Sequence, residues 1–140
     1  MQPFFIVDTD KSFEKACADL EGAVISHHFG LMGMHDLGET LRGKNVVFHE
    51  NCRVYEVCNP QQVAKVLGLD MSLNMALPCR ISVYTESGRT RIGMIRPVGM
   101  LLALSDHKEL LDVAQEVEAS LTGIIEDAAE SASCGVSDQG

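Results

Sequence analysis

The sequence predicts an α+β fold: an antiparallel sheet of about five strands with helices packed on one face and a long C-terminal helix. Three observations carry this. Cys79–Glu86 and Arg89–Ile95 are alternating, β-branched segments joined by Ser87-Gly88, which reads as a hairpin and so demands antiparallel pairing. Leu110, Ala114, Val117, Leu121 and Ile124 recur at steps of four and three, the apolar seam of a long amphipathic helix. Strand-like and helix-like segments between them do not alternate regularly, which disfavours a doubly wound parallel sheet.

Taken in order, Phe4 to Val7 is a short apolar run that predicts a first strand. A helix follows, with Phe13, Cys17 and Leu20 on one side, an N-cap among Asp8, Thr9, Asp10 and Ser12, and Gly22 as its stop. Ala23 to Leu31 reads as the second strand, placing Ile25, His27, Phe29 and Leu31 on one face and Val24, Ser26 and His28 on the other. Asp36 and Glu39 have capping-box spacing for a short helix ending near Gly43. Val46 to His49 leads toward a third strand, Cys52–Cys58. Asn59 as cap and Pro60 at the first helical position start a helix striped by Val63, Val66 and Leu67 and stopped by Gly68.

A Met-rich connector, residues 71–78, precedes the hairpin. A two-residue turn sets Glu86 opposite Arg89 and Val83 opposite Ile92. Ile81, Val83, Thr85, Thr90, Ile92 and Met94 then share the core side, while Tyr84 and Arg91 pair on the other. The final helix is expected over about Asp106 to Ala128, with Asp106 and Glu109 as its capping box. One domain, residues 1–128, is followed by an acidic tail of small residues, 129–140.

Charge is concentrated at one end. The 140 residues carry 11 bases and 20 acids, a formal net charge of −9. Every base lies at or before Lys108, where twelve acids nearly balance them, whereas the segment from Glu109 holds eight acids and no base. A basic footprint for nucleic acid is absent, so no DNA or RNA partner is expected. No apolar run approaches the ~20 residues of a spanning helix, so no membrane partner is expected either. The N-terminal residues show no basic leader, and five cysteines, an odd number, without a C-x-x-C pair fit a reducing cytoplasm better than a disulfide framework.

Val57-Cys58-Asn59-Pro60 and Leu77-Pro78-Cys79, the second followed by a strand–turn–strand, resemble the domain of unknown function 302 family, and His35 to Lys44 fits that family's short helix before the third strand. The resemblance spans residues 4–125. It implies a TATA-binding-protein-like topology and often a dimer, with no established activity. His27, His28 and Cys134 fall outside the pattern.

Two chemical readings compete at the paired cysteines. Cys58 ends a strand immediately before a helix N-terminus, where amides and the helix dipole favour a thiolate. If the third and fourth strands are antiparallel neighbours, Cys79 lies near it. Cys58, Asn59, Pro60 and Cys79 would then form a thiol-lined site, Cys58 as the activated sulfur, for a small ligand or sulfur species. The plainer reading makes both cysteines small buried hydrophobes and Asn59-Pro60 only a helix cap. The alternative function is a homodimeric interaction module using Leu110, Ala114, Val117, Leu121 and Ile124 as its interface. A metal or haem carrier built on histidines is weaker, since adjacent His27 and His28 on a strand face opposite ways; no cofactor and no metal are expected. Enzyme motifs such as G-x-S-x-G, the Walker loop and H-E-x-x-H are absent.

Overall fold

The structure is a computed structural model and describes residues 2–130. Its strands are β1 (Phe4–Thr9), β2 (Gly30–Asp36), β3 (Cys52–Cys58), β4 (Cys79–Glu86) and β5 (Arg89–Ile95). Its helices are α1 (Phe13–Ser26), α2 (Leu37–Gly43), α3 (Pro60–Leu69), α4 (Pro97–Leu104) and α5 (Leu110–Ala129), with a 3₁₀ turn over Met71–Ala76. The strands form one antiparallel sheet in the order β1-β5-β4-β3-β2. The tail prediction and Cys134 concern residues beyond Glu130, outside the described ones.

The hairpin register is as the sequence predicts: Glu86 pairs with Arg89, Tyr84 with Arg91 and Val83 with Ile92. Ile81, Val83, Ile92 and Met94 are buried, with Thr90 beside them. Tyr55 and Val57 of β3 extend that apolar face, and α1 and α5 cover it.

Three elements differ from the sequence reading. Residues 23–26 continue α1 instead of opening a strand. Ala16, Cys17, Leu20, Ala23 and Val24 are all buried, the spacing of one helix face, and their burial outweighs the strand preference of the Val-Ile pair. Gly22 does not stop the helix: it costs propensity without breaking the turn, and the burial of Leu20, Ala23 and Val24 around it offsets that cost. The reversal comes six residues later at His28, whose φ of 67° is left-handed, with the Phe29 amide bonded back to the Val24 carbonyl at 3.0 Å. Strand β2 therefore starts at Gly30, and His27 and His28 occupy the turn rather than two faces of a strand.

The second difference is α4. Its cap, Arg96, makes no side-chain capping bond; instead Glu118 of α5 accepts from the Val98 amide at 3.0 Å and from Arg96 Nη1 at 3.2 Å. A carboxylate twenty residues downstream caps this helix. The third is the start of α5, at Leu110 rather than Asp106: the position before it, Glu109, makes no capping bond, so the expected Asp106–Glu109 box does not form. Val46 to His49 is a connection without strand pairing, and α3 runs one residue past Gly68.

The α5 seam lies inside the chain. Leu110, Ala114, Val117, Leu121 and Ile124 are all buried, joined by Val113, Ile125 and Ala128. The face proposed for a partner is thus already occupied by the chain's own sheet and helices. Using it between copies would require opening the core.

At Gly93 two strands approach too closely for a side chain: an added Cβ would lie 2.9 Å from Ile6 Cγ1 and 3.0 Å from the Phe5 carbonyl oxygen. Gly93→Ala should destabilise the fold by about 1–3 kcal/mol through overpacking against β1, measured as a lowered urea midpoint at unchanged slope.

Candidate functional site

The register brings the candidate cysteines to the same end of adjacent strands. Val57 of β3 pairs with Cys79 of β4, so Cys58 lies one residue beyond that pair, and both cysteines line one cavity of about 10 Å³. Asn59, Gln62, Val66 and Leu77 also line it. Cys79 follows a cis Leu77–Pro78 bond and packs against the core with Val57 and Ile81. The antiparallel condition for proximity is met; the chemistry that the sequence suggests for the site is less well served.

Asn59 and Pro60 form the helix start as expected, and in doing so they use up its donors. Asn59 Oδ1 accepts from the amides of Gln61 at 3.0 Å and Gln62 at 3.2 Å, and the Asn59 carbonyl accepts from Val63. Pro60 has no N–H. The first turn of α3 therefore has no free amide to hydrogen-bond a thiolate at Cys58. Burial pushes the Cys79 thiol up to about 11, with Cys58 adding a like-charge contribution. Cys79 keeps its proton at neutral pH, which makes it a poor nucleophile. Space is short too, since about 10 Å³ is room for one water molecule.

Histidines do not converge. His27 Nε2 meets Asp127 Oδ2 of α5 at 2.6 Å, and His35 Nε2 lies 3.5 Å from Glu56 Oε2 on the sheet. Among the described residues no group of three or more His, Cys, Asp or Glu is placed to hold a metal ion. Nor is any helix among them long and apolar enough to cross a membrane.

Two features escaped the sequence reading. The first is a polar cluster joining α1 to β2 and β3. Tyr55, fully buried, donates to Glu21 Oε2 at 2.7 Å; burial and the Glu21 contact hold its phenol well above the usual range. Arg53 lies over the Phe13 ring and donates to Asp36 Oδ2 at 2.9 Å and to Glu14. The spacing of Glu14 and Glu21, two helical turns apart, was the available signal. It becomes readable only once β3 is known to lie under α1.

The second is the other side of the sheet, which no helix among the described residues covers. Strand alternation and the register place Phe4, Ile6 and Asp8 of β1 there, beside Ile95, Gly93 and Arg91 of β5 and Arg80, Ser82, Tyr84 and Glu86 of β4. Phe4, Ile6 and Ile95 are exposed, and the surface encloses a groove of about 430 Å³. Charges at its ends are paired. Arg89 and Arg91 both bond Asp8, the Arg91 bond holding that carboxyl below its usual range, and Arg91 also reaches Glu86. Arg80 lies 3.8 Å from Glu56.

Fold and surface together define a two-layer α+β sandwich, one antiparallel sheet and one layer of helices, with the sheet open on its other side. Residues 5–128 match the family model described as domain of unknown function DUF302, and the chain belongs to that family. It is similar to the crystal structure of an uncharacterized conserved DUF302 protein from Bacillus stearothermophilus, at 29% identity and a TM-score of 0.86, over 91% of this chain and 99% of that one. No curated protein matches it.

The raised Cys79 thiol has a consequence for stability. Its ordinary value is near 9 and its folded value about 11, so the folded state holds the proton after the unfolded chain has lost it. Stability is unaffected below pH 9 and falls between pH 9 and 11, by on the order of 2 kcal/mol. Urea denaturation against pH should show that decline in the parent and a shallower one in Cys79→Val.

Proposed function

We propose that this protein is a non-catalytic interaction module that works as a homodimer through the uncovered face of its sheet. The observation that carries the reading is where its apolar surface lies. The α5 seam is consumed within the chain, while Phe4, Ile6 and Ile95 stand exposed together on a face that no helix among the described residues covers.

Charge favours a second copy as the occupant. Asp8, Glu56 and Glu86 on this face are matched by Arg80, Arg89 and Arg91, so the face is formally neutral. The chain as a whole carries −9, with Asp112, Glu116, Glu118, Glu126, Asp127 and Glu130 on or beside α5 in the opposite layer. Two copies meeting sheet to sheet keep those acids far apart; any approach through the helices would bring them together. A two-fold contact also needs a self-complementary surface, and mixed charges around an apolar patch provide one.

This moves the interface from the Leu110–Ile124 seam to the sheet and leaves the small-ligand reading of Cys58 and Cys79 without a nucleophile at Cys79. The test is sedimentation velocity on the parent chain and on Ile95→Arg. A dimeric parent and a monomeric variant of nearly unchanged Tm are expected, because Ile95 is half exposed and its loss leaves the core intact. A monomeric parent, or a variant that stays dimeric, would contradict the proposal.

A further inference from the structure

Gln62 is the one strongly buried amide side chain at the cysteine cavity, and half of it is accounted for. Its Nε2 donates to Ser120 Oγ at 3.2 Å and to Glu116 Oε2 at 3.4 Å. Those partners fix which way the amide faces. Ser120 spends its own proton on the Glu116 carbonyl at 3.1 Å, so it can only accept from Gln62, and a reversed amide would set its oxygen against a carboxylate. Gln62 Oε1 is therefore turned from those partners, buried, and accepts from no group among the described residues. With only 7% of its surface exposed, Gln62 cannot satisfy that oxygen from bulk water.

Cys79 supplies the complementary half. It lines the same cavity, and burial keeps its thiol protonated at neutral pH, so its S–H is available as a weak donor. Gln62, whose Oε1 has no donor, and Cys79, whose thiol can give a hydrogen, thus line one space of about 10 Å³ walled by Phe29, Val57, Val66 and Leu101.

We infer that this cavity is a binding site for a single small neutral hydride that both donates and accepts, giving a hydrogen to Gln62 Oε1 and taking one from the Cys79 thiol. Ammonium has no lone pair to receive the thiol proton and would place a charge among apolar walls; halide would face the lone pairs of Oε1 with no hydrogen to give, and hydrosulfide, though it has one, would bring the same cost of a buried charge. Water meets the requirement and fits the volume. Hydrogen sulfide has the same donor–acceptor character in a larger body, so it would enter only if the walls give slightly.

The inference does not rest on the sheet-face dimer. Its test is a crystal structure of the full chain, in native crystals and in crystals soaked in neutral sodium sulfide, with data collected at long wavelength. Density within hydrogen-bonding distance of Gln62 Oε1 in native crystals is the expected result. An anomalous sulfur peak replacing it after the soak would show that the site takes hydrogen sulfide; unchanged oxygen density would restrict it to water. Gln62→Met, close in shape but without the acceptor, should lose the density, and in solution should lose one long-lived water from the ¹⁷O relaxation dispersion of the parent. A dry cavity in native crystals, or density that persists in Gln62→Met, would overturn the assignment.

Discussion

Everything else in this molecule depends on the one-sided burial of its sheet. Helix α5 lays an unbroken apolar seam across one face, and Leu110, Leu121, Ile124 and Ile125 are each fully buried there. Burying a side chain of that size contributes about 1.5–3 kcal/mol, so this helix alone supplies a large share of what stabilises a domain of this length. The same helix reaches further. Its Glu118 caps α4, its Glu116 and Ser120 hold Gln62 of α3, and the carbonyls of Ala128 and Ala129 accept from Lys11, just past β1, and from Thr9, its last residue. With α1, α3 and α4 packed against α5 on that side, the opposite face of the sheet is left bare among the described residues.

Much of this architecture was legible before any coordinates. Strand β3, the β4–β5 hairpin and its register could be read because alternation over seven or eight residues has one solution once the turn is fixed. The starts of α2 and α3 were legible for a local reason: Asp36 and Asn59 each bond amides two or three residues ahead. The errors share a different physical origin. Residues 23–26 joined α1 because of what they pack against, Gly22 is carried by the buried residues on either side of it, and α4 is capped by a residue from another helix. Tertiary context decided each case, and propensity over a short window cannot register it.

The candidate site shows the same division. The sequence made the approach of Cys58 and Cys79 conditional on β3 and β4 being antiparallel neighbours, and the antiparallel sheet brings them to one cavity. Their chemistry could not be read from spacing. Whether a helix N-terminus activates a neighbouring thiol depends on whether its amides are free, and Asn59 has taken them. Whether a thiol ionises depends on burial, which favours the proton at Cys79. The uncovered face was hidden for the complementary reason: Phe4 and Ile6 look like core residues in sequence, and only the one-sided layering shows that they point away from the core.

The central claim, that this bare face meets a second copy, is tested most directly by hydroxyl-radical footprinting at low and high protein concentration. Phe4, Tyr84 and Ile95 should become protected as concentration rises, while Met71 and Met75, exposed on the 3₁₀ turn away from the sheet face, stay equally oxidisable. Oxidation of Phe4, Tyr84 and Ile95 that is independent of concentration would contradict the account.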